Sequence, residues 1–132
     1  MKEVLAVIRM NKINQTKQAL VEAGFPAFTA ARVMGRGSRP VDFEVRKALL
    51  DDAAPAPEAL ASLAQGPRLI AKRMLSMVVP DDGVPSVVKT LIAANQTGNP
   101  GDGKVFVLPV DDVARVRTGE TGAKAIDEMT GR

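Results

Sequence analysis

The apolar positions of the chain fall into two segments that repeat one order, a strand, a helix and a second strand. In the first segment, residues 4–8 form a short run rich in β-branched side chains and bounded by charge, which predicts a buried strand. Asn14 is suited to cap the following helix, and Gly24 stands where a glycine commonly ends one. Residues 27–34 predict the second strand.

The second segment carries the clearer pattern. Residues 72–79 predict a strand with alternate apolar residues on one face, Leu75, Met77 and Val79. Asp82 is suited to cap the next helix. That helix is predicted because apolar residues recur at i, i+3, i+4, i+7 and i+8, as Val84, Val87, Val88, Leu91 and Ile92. Residues 105–110 predict the last strand, and a polar stretch follows it.

The two segments are joined by a long stretch without clear periodicity, which begins at a glycine-rich turn with two arginines, 35–40, and runs to about residue 67. Two short pieces of it favour helix, 44–50 and 58–64. Loops this long inside a compact domain are unusual and are commonly functional or disordered. Two interpretations stay open, a loose insertion and a recognition arm that becomes ordered on binding.

The order of elements predicts one α/β (α+β) domain over residues 1–132 with the ferredoxin-like βαββαβ fold. Two helices cover one face of a small sheet. Because the pattern predicts no third helix, the other face is expected to be covered by self-association.

Composition excludes several classes of function. The chain has no cysteine and no histidine, which removes disulfides, thiolate or imidazole metal sites and Ser-His-Asp catalysis. It has no tryptophan or tyrosine and only 4 phenylalanines, so a stacking platform for nucleic acid is not expected. A net charge of +3 suits an anionic small molecule or an acidic protein surface. With no signal peptide and no membrane-length apolar run, a cytoplasmic protein without membrane insertion is expected.

The candidate chemistry lies in the turn before the last strand, Thr97-Gly98-Asn99-Pro100-Gly101-Asp102-Gly103-Lys104. Its glycines allow backbone N–H groups to converge on an anion, and its lysine adds a full positive charge. Val105 follows that lysine where a Walker A loop requires serine or threonine. From these residues alone, a phosphate cradle and a plain helix-to-strand turn are equally good interpretations.

Further motifs accompany this turn: Gly24 with Thr29, Gly35-Arg36-Gly37, Val78-Val79-Pro80-Asp81-Asp82, and Arg115-Val116-Arg117-Thr118-Gly119-Glu120. Together with the turn they resemble the PII nitrogen-regulatory signal-transduction proteins over almost the whole chain. The pairing of Thr-Gly-x-x-Gly-Asp-Gly-Lys with Arg-x-Arg-Thr-Gly-Glu is highly specific.

The resemblance implies a homotrimer with ATP or ADP bound in the clefts between subunits. It also implies a long T-loop between strands 2 and 3 (about 37–69), a phosphate-wrapping B-loop (98–104) and a C-terminal region (111–132). The residues that resemble nucleotide-binding positions are Thr29, Gly35, Gly37, Gly101, Asp102, Gly103, Lys104, Arg115 and Arg117. The resemblance implies that the two arginines reach the phosphates from the neighbouring chain. The family's effector is 2-oxoglutarate, and Lys72 resembles the lysine that pairs with its carboxylate, with Arg9 as a further candidate.

Three departures from the family pattern bear on function. Arg39 stands where the family has a glutamine that coordinates magnesium, and a guanidinium cannot coordinate a cation. The usual magnesium-dependent effector site is therefore not predicted: either Arg39 pairs directly with the effector carboxylates, or the site is altered. The absence of tyrosine excludes tyrosyl modification. The T-loop is also longer than in common members.

Four features together resemble the nitrogenase-linked branch of the family, and within it the second of two unlike paralogues. They are the long T-loop, the turn Phe25-Pro26-Ala27, Gly35-Arg36-Gly37 and the segment Asn95-Gln96-Thr97-Gly98-Asn99. This implies a regulator without catalytic or metal-ligating residues of its own, which acts on a nitrogenase component through the T-loop. A hetero-oligomer with a PII-like paralogue stays open. The alternatives are a PII regulator of an ammonium transporter or biosynthetic enzyme, and a slow ATPase assisted by Asp102 and Glu120.

Overall fold

A computed structural model of the chain describes residues 1–37 and 69–129. The elements are β1 (Lys2–Arg9), α1 (Ile13–Glu22), β2 (Thr29–Gly35), β3 (Ile70–Val79), α2 (Val84–Asn95) and β4 (Lys104–Pro109). The chain divides into two compact units, one made of Met1–Val33 with Lys72–Arg132 and the other of Met34–Ala71. The short helical pieces expected at 44–50 and 58–64 lie outside the described residues.

The four strands form one sheet in the order β2-β3-β1-β4. β1 pairs antiparallel with both β3 and β4, so that Val4 lies opposite Met77 on one side and opposite Val107 on the other. This order and the two helices confirm the predicted ferredoxin-like βαββαβ fold. The strands differ from the predicted bounds by one or two residues at their ends.

One face of the sheet and the two helices enclose the core. Burial alternates along β1 and β3, as expected when one face of a sheet is covered. The buried apolar residues of the strands and helices are Val4, Ala6, Ile8, Leu20, Leu75, Met77, Val79, Val87 and Leu91. The predicted inner face of β3 is thereby confirmed.

The opposite face of the sheet keeps apolar side chains at its surface. Leu5 alternates with the buried Val4 and Ala6, and its register partner on β4 is Phe106. Phe106 is 46% exposed and Leu108 is 40% exposed. Two neighbouring strands, β1 and β4, therefore present an apolar surface that the two helices do not cover.

Both predicted N-caps are wrong. A 3-10 turn, Met10–Lys12, leads into α1, whose N-cap is Lys12 rather than Asn14. A second such turn, Asp81–Gly83, leads into α2, whose N-cap is Gly83 rather than Asp82. In both places the cap residue has αR backbone angles, whereas a side-chain cap requires an extended residue at that position.

The predicted end of α1 is confirmed. Gly24 has φ 95°, its N–H donates to the Val21 carbonyl at 3.0 Å, and the Phe25 N–H donates to the Leu20 carbonyl at 2.8 Å. These two bonds form a Schellman motif, in which the left-handed residue is usually glycine. The motif turns Phe25 into the core, where its side chain is buried.

The end of the chain packs more closely than the sequence pattern predicted. Residues Gly122–Met129 form a 3-10 segment with a kink at Ile126. Ala125, Ile126 and Met129 are buried, and Met129 joins the main core. The sequence pattern predicted only a polar stretch after β4, so this 3-10 segment and its packing were not predicted. Within the described ranges, no helix combines the length and apolar character needed to cross a bilayer.

A buried polar pair joins the two helices. The Asn95 amide donates to the Thr16 hydroxyl at 3.0 Å and to the Leu91 carbonyl at 2.9 Å, while the Thr16 hydroxyl donates to the Lys12 carbonyl at 2.8 Å. Asn95 takes the last position of the inner face of α2, and Ile92, predicted for that face, is 49% exposed. This pair fixes the end of α2 against α1, directly before the glycine-rich turn.

We expect Thr16→Val to lower the free energy of unfolding by about 1–3 kcal/mol, because the Asn95 amide loses a partner in a buried position. Thr90→Val is the matched control, since the Thr90 hydroxyl makes the same i−4 bond, to Ser86, at the surface and should cost less than about 0.5 kcal/mol. Denaturant unfolding measures both. Equal costs for the two variants would show that the contact between the helices contributes nothing.

Candidate functional site

The turn 97–104 connects α2 to β4 and is organised around the carboxylate of Asp102. Oδ2 of Asp102 accepts from the backbone N–H of Thr97 at 2.8 Å and of Gly98 at 3.0 Å. Oδ1 accepts from the Thr97 hydroxyl. The side chain thus satisfies the N–H groups that follow the helix and fixes the first half of the turn.

These contacts hold the pKa of Asp102 well below its ordinary value of 3.8. The largest cause is the hydrogen bond from the Thr97 hydroxyl, followed by the backbone N–H of Thr97, with smaller contributions from the Gly98 N–H and the Arg9 guanidinium. A carboxylate stabilised in this way is a weak base. Asp102 is therefore poorly suited to accept a proton from an attacking water, as the slow-ATPase alternative requires.

Two cationic side chains at the ends of neighbouring strands donate hydrogen bonds to backbone carbonyls of the turn. Arg9 and Lys72 are register partners on β1 and β3. Nη2 of Arg9 donates to the Pro100 carbonyl at 2.9 Å and lies 3.3 Å from Oδ1 of Asp102. Nζ of Lys72 donates to the Gly101 carbonyl at 2.9 Å. Two of the three cations predicted for an effector are thus brought together against the predicted nucleotide loop.

The second half of the turn passes very close to β1. Gly103 has φ 110°, and a Cβ at this position would lie 1.9 Å from the Val7 carbonyl oxygen. Only glycine fits there without a shift of the backbone. Lys104 follows as the first, exposed residue of β4, and it makes no ion pair within the described part of the chain.

Within a single chain, the predicted arginine pair does not contact this turn. Arg115 and Arg117 lie in a hairpin closed by a bridge between Ala114 and Thr121. The Arg115 guanidinium pairs with Glu120 at 3.0 Å and with the C-terminal 3-10 segment, and none of its ion pairs with described residues involves the turn. Arg117 is exposed.

The remaining predicted residues lie away from the turn or outside the description. Thr29 is the exposed first residue of β2, at the sheet edge opposite to β4. Gly35 ends β2, and Gly37 is the last described residue before the gap. Arg39 and most of the T-loop lie outside the described residues. Among the residues that are described, no group of three or more acidic side chains is arranged to hold a metal ion.

Sequence reasoning missed two features of this region. The sequence indicates Asn95 only as part of a motif, whereas in the structure its buried amide anchors the start of the turn. No motif predicts that Asp127 and Glu128, the acidic residues of the C-terminal 3-10 segment, pair with Arg115. The apolar spacing of Ala125, Ile126 and Met129 was the available signal that this region packs against the core.

Comparison with known proteins agrees with the motifs of the turn and hairpin. The family described as "Nitrogen regulatory protein P-II" matches residues 1–120. The chain belongs to the P-II family. The match extends through the hairpin that carries Arg115 and Arg117, and the C-terminal 3-10 segment lies beyond it.

Two relatives that are named for nitrogen-fixation regions match nearly the full length of the chain. A "Nitrogen fixation nifHD region GlnB-like protein 2" from Methanobacterium ivanovii is 44% identical over 127 residues, which cover 96% of this chain and 99% of the relative. A protein of Methanosarcina barkeri, named for its nifHD1 region, is also 44% identical, with 96% and 99% covered. These names confirm the resemblance to the second paralogue of the nitrogen-fixation-linked branch.

A solved P-II structure supports the same fold. The Arabidopsis thaliana PII protein bound to citrate is 36% identical, with a TM-score of 0.69, and the match covers 94% of this chain and 90% of that one. This likeness agrees with the ferredoxin-like sheet order described above.

Proposed function

We propose that this P-II protein is a nitrogen-status sensor that binds ATP or ADP at the turn 97–104 and regulates nitrogenase through its T-loop. The observation that carries the proposal is the construction of the turn. Its carbonyls are held by Arg9 and Lys72, and its carboxylate is held by Thr97 and Gly98. Lys104 adds an exposed positive charge at the end of the turn.

The donor set of the turn fits a polyphosphate. The N–H groups of Gly101 and Gly103 take no part in the backbone hydrogen bonds that form the turns, loops and caps of the described residues. Backbone N–H groups beside a lysine form the kind of concavity that binds phosphate oxygens. Gly101 and Gly103 supply the positive φ angles that such a concavity requires.

Self-association as a homotrimer is part of this proposal. Thr29 and the turn occupy opposite edges of one sheet, so a site that uses both needs a second copy of the chain. The exposed Phe106 and Leu108 on the helix-free face supply apolar surface for such a contact. A cleft between subunits also gives Arg117 a route to phosphates that it lacks within one chain.

An effector carboxylate, 2-oxoglutarate by family resemblance, is proposed to act at Lys72 and Arg9. Citrate in the plant relative is likewise a carboxylate ligand. Because Lys72 already donates to the Gly101 carbonyl, an anion bound at its Nζ changes the support of the nucleotide turn. The two ligands should therefore alter one another's affinity. For Arg39 two alternatives stay open: it pairs directly with the effector carboxylates, or the effector site is altered.

Calorimetry with ATP, ADP and 2-oxoglutarate tests the ligand sites. We expect saturable ATP binding, and we expect Lys104→Gln to weaken it about tenfold or more, since a charged hydrogen bond contributes about 1.5–3 kcal/mol. Lys89→Gln, an exposed lysine on α2, serves as the charge-matched control and should bind as the parent does. The absence of any heat with ATP would contradict the proposal.

The target needs a separate experiment. The relatives' association with the nifHD region supports a nitrogenase component as the partner. Affinity capture from nitrogen-fixing cells, with and without ATP and 2-oxoglutarate, should recover that component in a ligand-dependent way. Recovery of an ammonium transporter or a biosynthetic enzyme instead would assign the protein to another branch of nitrogen regulation.

A further inference from the structure

The C-terminal 3-10 segment Gly122–Met129, here named the latch, holds Arg115 through several acceptors. Nη2 of Arg115 donates to Oδ1 of Asp127 at 2.5 Å and to the Lys124 carbonyl at 2.9 Å, and it lies 3.8 Å from Oε2 of Glu128. The latch is itself anchored by the buried side chains of Ala125, Ile126 and Met129. The hydrogen bonds between Arg115 and the latch are therefore supported by the apolar packing of the latch.

In this geometry, Arg115 cannot offer a phosphate two neighbouring guanidinium nitrogens at once. A guanidinium binds an oxyanion in bidentate fashion through two neighbouring nitrogens, and both possible pairs, Nη1 with Nη2 and Nε with Nη2, include Nη2. The two hydrogens of Nη2 are taken by Asp127 and by the Lys124 carbonyl. Nη1 donates to Glu120 at 3.0 Å. A phosphate can engage Arg115 bidentately only if the latch gives up an acceptor.

We propose that the latch is an intramolecular competitor of the nucleotide phosphates for Arg115, so that nucleotide binding at this arginine requires release of Asp127 and Glu128. The inference rests on the proposed nucleotide binding and deepens it. It assigns Asp127 and Glu128 a regulatory role: the latch sets the resting affinity for polyphosphate, and nucleotide binding loosens the packing of residues 122–129.

The test compares the parent chain with the double variant Asp127→Asn/Glu128→Gln, which keeps side-chain shape and removes two negative charges. The control is Glu22→Gln/Asp82→Asn, which changes the net charge equally at exposed positions on α1 and ahead of α2. ATP affinity is measured by calorimetry at one salt concentration. We expect the latch variant to bind ATP about fivefold more tightly than the parent and the control, in keeping with partly exposed ion pairs. Adding Arg115→Ala to the latch variant should abolish this gain.

Hydrogen exchange supplies a second measurement on the parent chain. Saturation with ATP should speed amide exchange in 122–129, because the segment loses its contacts with Arg115. Equal or weaker ATP binding by the latch variant, or unchanged or slower exchange in the parent, would overturn the latch while leaving nucleotide binding intact. No ATP binding by the parent and by the latch variant would overturn the proposed function and the latch together.

Discussion

Replacing Gly103 with alanine should lower the free energy of unfolding by at least about 2 kcal/mol and abolish ATP binding. A residue other than glycine at φ 110° is strained by about 1–3 kcal/mol, and its Cβ would also lie 1.9 Å from the Val7 carbonyl oxygen. That overlap forces the turn away from β1 near the Lys104–Val7 register pair. Denaturant unfolding and calorimetry measure the two effects.

Gly98→Ala separates strain from overlap. Gly98 lies in the same turn with φ 84°, but a Cβ there meets no atom within 4 Å. Its stability cost should be limited to the left-handed backbone, about 1–2 kcal/mol. If the two alanine variants unfold at the same denaturant concentration, the close approach of the turn to β1 is not what requires glycine at residue 103.

Replacing Asp102 with asparagine should weaken ATP binding about tenfold or more. The two acceptor oxygens of Asp102 receive the N–H groups of Thr97 and Gly98 on one side, and the Thr97 hydroxyl and Arg9 on the other. An amide of the same shape turns an NH₂ group towards one of these sets of donors. Each lost bond to a charged acceptor is worth about 1.5–3 kcal/mol, so the turn loses its fixed shape.

The same substitution should remove a component of acid sensitivity. Because the folded-state pKa of Asp102 lies below the ordinary value of 3.8, its contribution to stability is fully present above that value. It is lost as the pH falls below about 4 towards the lowered pKa. The difference in unfolding free energy between the parent and Asp102→Asn should be constant above about pH 5 and should shrink in more acidic solution.

Asp111→Asn is the matched control for both measurements. Asp111 is an exposed carboxylate just after β4, and it takes no part in the contacts that hold the turn. This variant should bind ATP as the parent does. A pH-independent difference between the parent and Asp102→Asn, or unchanged ATP affinity in Asp102→Asn, would contradict the structural role assigned to this carboxylate.

The strands and the inner faces could be predicted from the spacing of apolar residues, because this spacing depends directly on burial. The helix caps could not be predicted in this way. Asn14 and Asp82 are good capping residues, but the chain enters both helices through 3-10 turns. Ile92 shows the same limit in packing. Its spacing predicts a place on the apolar face of α2. The last buried position of that face is instead Asn95, whose amide donates a hydrogen bond to Thr16 on α1.

The sequence by itself determined the family, the order of elements and the position of the turn 97–104, because these depend on local residue types and their spacing. Only the tertiary structure decided what the charged residues touch. Arg9, Lys72 and Asp102 are far apart along the chain, and sheet register brings them to one turn. Arg115 meets Asp127 because the C-terminal segment is held by buried apolar side chains. Which charged side chains pair depends on how the backbone segments pack. Spacing along the sequence does not reveal the distance between two elements that come together only in the folded chain.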